Sequence, residues 1–150
     1  MRILIVESRF YETITDNLVK GAVRALTGVG AGYKRIIVPG ILEVPAAVAF
    51  AVRAMEMRAT DERYDGFVAL GCAIKGDTDH YDHVCREAMD GLTRLTLENS
   101  LALGNGILTV RDEAQAMERC MPDRRDFGGQ AARACLRMIE IKRELGLIPK

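Results

Sequence analysis

Histidine is the side chain whose charge changes near neutral pH, and this sequence has two, His80 and His83. They follow the polar stretch Lys75-Gly76-Asp77-Thr78-Asp79 and have Asp82 and Glu87 nearby. An H-x-x-H spacing permits metal binding, but no further Cys or His cluster accompanies it, so proton transfer by His80 is the better reading. His83, about 300° further round the same helix, is the weaker candidate. Gly76 allows an unusual backbone turn, Thr78 supplies a hydroxyl, and the start of the next helix offers free N–H groups, a combination suited to phosphate. Asp77 and Asp79 oppose an anion and could instead cap that helix. The stretch is neither a Walker A loop nor a G-x-G-x-x-G turn, so it implies no nucleotide.

Three other groups could do chemistry. Phe10 and Tyr11 form an aromatic pair that either stacks on a planar ligand or, through Phe10, caps the core. Glu43, within Pro39-Gly40-Ile41-Leu42-Glu43-Val44-Pro45, either complements a helix dipole or accepts hydrogen bonds from ligand hydroxyls. Arg119, Arg124 and Arg125 offer guanidinium groups that hold phosphate bidentately when not simply solvated. The cysteines, Cys72, Cys85, Cys120 and Cys135, contain no C-x-x-C pair, which excludes zinc-ribbon and thioredoxin motifs. Reduced, mostly buried thiols in the cytoplasm are expected.

Alternating strands and helices must position these groups. Arg2–Val6, Arg35–Val38 and Phe67–Ile74 are apolar runs fit for strands, and a fourth strand lies within Leu101–Val110, interrupted by Gly104-Asn105-Gly106. Ile14, Leu18, Ala22, Val23 and Leu26 recur at helical spacing, and Gly28 and Gly30 end that helix. A second helix runs from Val44 to Ala54 with Pro45 in its first turn. A third carries Val84, Ala88, Leu92 and Leu95 on one stripe, a short one spans Asp112–Cys120, and a long one spans Gly129–Leu145. Strands separated by helices imply parallel pairing and right-handed crossovers. The expected fold is α/β: a three-layer sandwich with a small four-stranded parallel sheet between helices, in flavodoxin-like order. Ligands in such sheets sit beyond the carboxyl ends of the strands, which selects the segments after Val6, Val38, Ile74 and Val110.

Lys plus Arg and Asp plus Glu are both 21, so no net charge steers the chain to nucleic acid or an acidic membrane. Near-zero charge is compatible with self-association. No apolar run reaches the ~20 residues of a membrane span, and Arg2 is followed by only four apolar residues, so no signal peptide is expected. At 150 residues, residues 1–150 are expected to form one domain with a sizeable core.

Taken together, the segments resemble one family. Residues 39–47, PGILEVPAA, resemble a P-G-x-x-E-x-P motif followed by alanines. GCAIKGDTDHYDHV, from Gly71 to Val84, resembles G-x-x-I-[RK]-G-x-T-x-H-[FY]-D-x-V. Asn105–Gln115 with Glu118-Arg119 resembles G-[IV]-L-T-x-x-x-x-x-Q-A-x-x-R. The pattern is similar to that of the 6,7-dimethyl-8-ribityllumazine synthases of riboflavin biosynthesis. A flavodoxin-like binding domain would share the alternation but explains neither Thr78-x-His80 nor the Arg119 motif.

The resemblance implies a condensation of 5-amino-6-ribitylamino-pyrimidinedione with 3,4-dihydroxy-2-butanone 4-phosphate, giving the lumazine, phosphate and water, with no redox cofactor or metal. Phe10 would stack on the pyrimidine. Ile41, Leu42 and Glu43 would bind the ribityl chain. Cys72, Ala73 and Ile74 would read the pyrimidine edge through their backbone. Asp77 and Thr78 would form the phosphate loop, His80 would be the proton donor, and Arg119 would hold the phosphate. Asn105 stands where many members place an aromatic. Asn105 and Arg119 would come from a neighbouring subunit. A weakly catalytic paralogue binding flavin or lumazine is the alternative.

The chain departs from the family pattern in places. Asp126-Phe127-Gly128-Gly129-Gln130 replaces N-K-G-x-E, removing a lysine for which Arg124 or Arg125 could substitute. Asp77 brings a negative charge close to the phosphate. Shell-forming members tend to carry an N-terminal arm and a Gly-rich turn before the last helix. Here Met1 abuts the first strand, and Met121–Phe127 contains Pro122 and no glycine. A homopentamer, or a decamer of two pentamers, is therefore expected in place of a 60-subunit shell.

Overall fold

The structure is a computed structural model and describes residues 1–149. Strands β1 (Arg2–Ser8), β2 (Gly32–Val38), β3 (Gly66–Ile74) and β4 (Leu103–Val110) form one sheet in the order β2-β1-β3-β4, with every neighbouring pair parallel. Helices α1 (Glu12–Gly28), α2 (Val44–Glu56), α3 (His80–Asn99), α4 (Glu113–Cys120) and α5 (Phe127–Glu144) alternate with the strands, and a single 3-10 turn, Ile41–Glu43, precedes α2.

The alternation of side chains along β1 and β3 divides the interior into two cores. Ile3, Ile5, Val68 and Leu70 face Leu18, Leu26, Ala132 and Ile139 of α1 and α5. Leu4, Val6, Phe67 and Ala69 face Val44, Val48, Ala88 and Leu92 of α2 and α3. Both central strands are thus apolar on both faces, as covered parallel strands must be. This is the expected three-layer α/β fold. Among the described residues no helix is long and apolar enough to cross a membrane. Cys72, Cys120 and Cys135 are buried, Cys85 is partly so, and all four thiols are free.

Several bounds differ from the sequence reading by one to three residues, and three differences have a clear physical reason. β2 begins at Gly32, three residues early, because pairing with β1 outweighs the polarity of Tyr33 and Lys34 on an edge strand. β4 is not interrupted: it runs unbroken through Gly104-Asn105-Gly106 and pairs with β3 from Leu103 to Val110. The glycines there serve close approach, not a turn. A Cβ on Gly104 would fall on the carbonyl oxygen of Ala131 in α5. α5 starts at Phe127, two residues before the expected Gly129, because Asp126 caps it by accepting from the Gly129 N–H at 3.1 Å.

Gly104→Ala is expected to cost about 1–3 kcal/mol or more in denaturant unfolding, since rigid backbone must shift. Gly28→Ala, at the end of α1 where nothing lies within 4 Å of an added Cβ, is expected to change stability by less than about 1 kcal/mol.

Candidate active site

The carboxyl ends of β1, β2 and β3 meet the start of α3 around a cavity of about 440 Å³. One glycine sets how closely two of its walls approach. A Cβ on Gly71 would lie 2.9 Å from Ile41 Cγ2 and 3.0 Å from Ser8 Cβ, so only glycine lets the 3-10 turn rest on β3. Ile41, Leu42 and Glu43 are thereby brought against Cys72, Ala73 and Ile74, and all six line the cavity.

β1 pairs with β3 only as far as Leu70, whereas β3 continues to Ile74, paired there with β4 alone. The last four residues of β3 therefore have no strand partner on the β1 side. Backbone groups in that position are free to read the edge of a flat heterocycle. Burial pushes the Cys72 thiol up to about 12, so this stretch of wall carries no charge at neutral pH.

Phe10 stands at the mouth, 72% exposed, in an edge-to-face contact with Tyr11 at 5.0 Å. That exposure excludes the core-capping reading. The loop carrying Phe10 is pinned by Thr15 Oγ1, which donates to the Ser8 carbonyl at 2.6 Å, and by the Arg9 N–H, which donates to Val38 O. Glu43 serves its own turn, accepting from the Gly40 N–H at 2.9 Å through Oε2, and also lines the cavity.

His80 is the first residue of α3 and lines the cavity, as does Thr78. Thr78 Oγ1 accepts from the His80 N–H at 3.3 Å. Asp79 occupies the N-cap position, yet its side chain makes no capping bond, so the aspartate-cap expectation fails for Asp79. His83 is exposed and does not line the cavity, and among the described residues no three His, Cys, Asp or Glu side chains are grouped to hold a metal ion.

Three expected site residues lie apart from the cavity. Asp77 is exposed in the loop and lines no part of it. Asn105 is exposed on β4, where Oδ1 accepts from the Ile107 N–H at 3.0 Å and Nδ2 lies 3.1 Å from Met89 Sδ. Arg119 sits on α4 and donates to the Gln115 carbonyl at 3.2 Å. Conversely, Tyr81 and Val84 line the cavity one and four residues beyond His80, and helical spacing from His80 could have found Val84.

The residue most clearly missed is Glu7, which is fully buried. Its carboxylate accepts from Arg9 Nη1 at 2.9 Å, Arg35 Nε at 2.8 Å and Arg35 Nη2 at 2.7 Å, and Arg9 also pairs with Asp16. Those bonds raise the pKa of Arg35 above its ordinary value. Glu7 thus ties the end of β1 to β2 and to the loop that presents Phe10. The available signal was the polar pair itself: Glu7 ends one apolar run and Arg35 opens another, and parallel register puts both on the same face.

The sequence profile of the 6,7-dimethyl-8-ribityllumazine synthases matches residues 1–143. The chain belongs to the 6,7-dimethyl-8-ribityllumazine synthase family. It is 52% identical over 146 residues to the 6,7-dimethyl-8-ribityllumazine synthase of Paramagnetospirillum magneticum, covering 97% of each chain. It is 50% identical over 144 residues to that of Bartonella tribocorum, covering 96% of this chain and 91% of the relative. It is 49% identical over 146 residues to 6,7-dimethyl-8-ribityllumazine synthase 1 of Rhizobium meliloti, covering 97% and 94%. As a lumazine synthase family member, the chain has both core layers within the matched span, together with the cavity and the Glu7 cluster.

Glu7→Gln is expected to lower unfolding stability by about 1.5–3 kcal/mol, because two guanidinium groups lose a charge-assisted acceptor. Asp16→Asn, which removes a partner whose side chain is 64% exposed, is expected to cost less than about 1 kcal/mol in the same denaturant titration.

Proposed function

We propose that the protein condenses 5-amino-6-ribitylamino-pyrimidinedione with 3,4-dihydroxy-2-butanone 4-phosphate to give 6,7-dimethyl-8-ribityllumazine, phosphate and water, a transferase step of riboflavin biosynthesis. The observation that carries this reading is the grouping of an exposed aromatic, Phe10, an unpartnered strand end, Cys72–Ile74, a carboxylate, Glu43, and one histidine, His80, around a single cavity. A planar pyrimidinedione needs a stacking face and a row of donors and acceptors, and Phe10 and the β3 backbone supply them. A ribityl chain needs acceptors for its hydroxyls, which Glu43 supplies beside the apolar Ile41 and Leu42. Imine formation, phosphate elimination and ring closure need protons moved and reactants held together, and His80 is placed for the first of these tasks. The reaction involves no net redox change, so it calls for no redox cofactor.

Among the described residues no lysine or arginine lines the cavity, and Glu43 adds negative charge to its lining. Thr78 alone is a poor match for a phosphate dianion, which calls for a cation. In our reading Arg119 of a neighbouring copy completes the site, with Asn105 of that copy lining the ring end. Active sites then lie between subunits of a homopentamer, with a decamer formed if two pentamers stack.

His80→Ala is expected to lower turnover about 10- to 10⁴-fold in a steady-state assay with both substrates saturating, leaving lumazine binding nearly unchanged. His83→Ala is expected to change turnover far less. A wild-type protein that binds lumazine yet forms none would support the paralogue reading instead. Light scattering is expected to give about five times 16.5 kDa, or about ten times if pentamers stack. A megadalton particle or an active monomer would contradict this assembly.

A further inference from the structure

Phe10 stands outside both cores, with 72% of its surface exposed. The backbone on either side of it is fixed. The Arg9 N–H donates to the Val38 carbonyl, and the Thr15 N–H donates to the Tyr11 carbonyl at 3.0 Å. A fixed backbone does not fix the ring, because an exposed side chain still hops among staggered χ1 wells within nanoseconds. A ring that its ligand must order subtracts from the binding energy.

Tyr11 provides the restraint that the backbone lacks. Its ring lies 5.0 Å from the Phe10 ring, centre to centre, with 75° between the planes. That is an edge-to-face geometry of the kind aromatic pairs favour. Tyr11 is itself anchored: it holds the N-cap position of α1 and packs against the core between the sheet and α1 and α5. Tyr11 thus touches the interior as well as Phe10, and both rings line the same cavity. Whichever ring presents its edge, at least one face of Phe10 stays open to a flat ligand. The contact is between rings, so it does not need the tyrosine hydroxyl.

We infer that Tyr11 is a positioning residue: it holds the Phe10 ring, before any ligand arrives, in the orientation that stacks on a flat heterocycle. Naming that heterocycle as the pyrimidinedione or the lumazine rests on the function proposed above. The ordering of Phe10 by Tyr11 does not rest on it. Tyr11 acts without touching the ligand, so its effect on affinity passes wholly through Phe10.

The test pairs a ligand-free measurement with a binding one, on wild-type, Y11F, Y11L, F10L and F10L/Y11L proteins. Y11M takes the place of Y11L if that variant does not fold. Without ligand, NMR of selectively labelled phenylalanine reads the χ1 populations of Phe10, and F10L identifies its signals. One dominant rotamer is expected in wild type and Y11F, and averaging among rotamers in Y11L. Calorimetric titration with 6,7-dimethyl-8-ribityllumazine is expected to show Y11L weakened about 2- to 10-fold, and Y11F within about twofold of wild type. Y11L is expected to raise KM for the pyrimidine substrate by a similar factor, with kcat and the KM for the phosphate substrate nearly unmoved. In the F10L background, adding Y11L is expected to leave lumazine affinity unchanged. A single Phe10 rotamer in Y11L would overturn the inference, since the ring then orders itself. An equal loss of affinity from Y11L in both backgrounds would overturn it too, by making Tyr11 a direct ligand contact or a purely structural residue. If Phe10 averages in Y11L but the wild-type protein binds no lumazine, the positioning of Phe10 stands and the proposed reaction fails.

Discussion

A fully buried carboxylate is the most expensive group in this interior, and its placement governs much of the rest. Glu7 lies at the end of the central strand β1 with no solvent access, where an unpaired charge would be prohibitive. Three N–H donors from Arg9 and Arg35 make it tolerable. Each arginine is partly exposed, so the cluster is a bridge from the sheet interior to the surface, not an isolated buried pair. Such pairs add little net stability compared with apolar packing, but they fix geometry, because any displacement strands a charge. Here the geometry fixed is the turn out of β1. Arg9 is adjacent to Phe10, and Arg35 anchors the edge strand whose continuation, Pro39-Gly40, leads into the turn bearing Glu43. Two walls of the cavity are thus referred to one carboxylate.

The polarity of the cavity follows from the sheet's uneven strand ends. β3 overruns β1 by four residues, and along that overrun backbone polar groups have no strand partner on the β1 side. Around it the lining is apolar (Ile41, Leu42, Ala73, Ile74, Val84), with Glu43, Thr78, Tyr81 and His80 toward the rim. Cations are kept elsewhere, at the α4–α5 corner beyond β4. This separation has a physical use. A guanidinium inside the cavity would pair with Glu43 and cost that carboxylate its capacity to accept from hydroxyls. Under the proposed function, holding cations on another face, to be brought in by a second copy, would keep sugar recognition and phosphate recognition independent.

The sheet, its strand order and the helices were legible in the sequence because apolar runs and helical stripes are local signals that burial in both cores rewards. Where the reading slipped, a long-range contact had overridden a local one. Gly104 and Gly106 look like a turn, and only the packing of α5 on β4 shows why glycine is required in a strand. Asp126 looks like part of a loop until its capping bond to Gly129 is seen. Phe10 and Glu43 were found by position at strand ends, yet the choice between core and ligand contact for Phe10 needed its exposure. Glu7 and Arg35 stand at the ends of apolar runs 28 residues apart, and only the β1–β2 register shows that the two form a pair. Arg124 and Arg125 are adjacent and alike in sequence, and only an ion pair to Glu118 and a stack on Phe127 tell them apart.

One remaining feature of the cavity concerns what it must not do. A condensation that begins with an amine attacking a ketone exposes a carbonyl electrophile to every nucleophile in reach. Cys72 lines the same cavity, and a thiolate there would compete for the carbonyl carbon. Burial raises that thiol to about 12, so at pH 7 it stays protonated. Cys85 is raised by burial as well, in the helix that carries His80. The same burial that keeps this wall apolar thereby also silences the Cys72 thiol. In the proposed condensation the substrate's own amine would then be the nucleophile, and proton transfer would fall to the exposed His80.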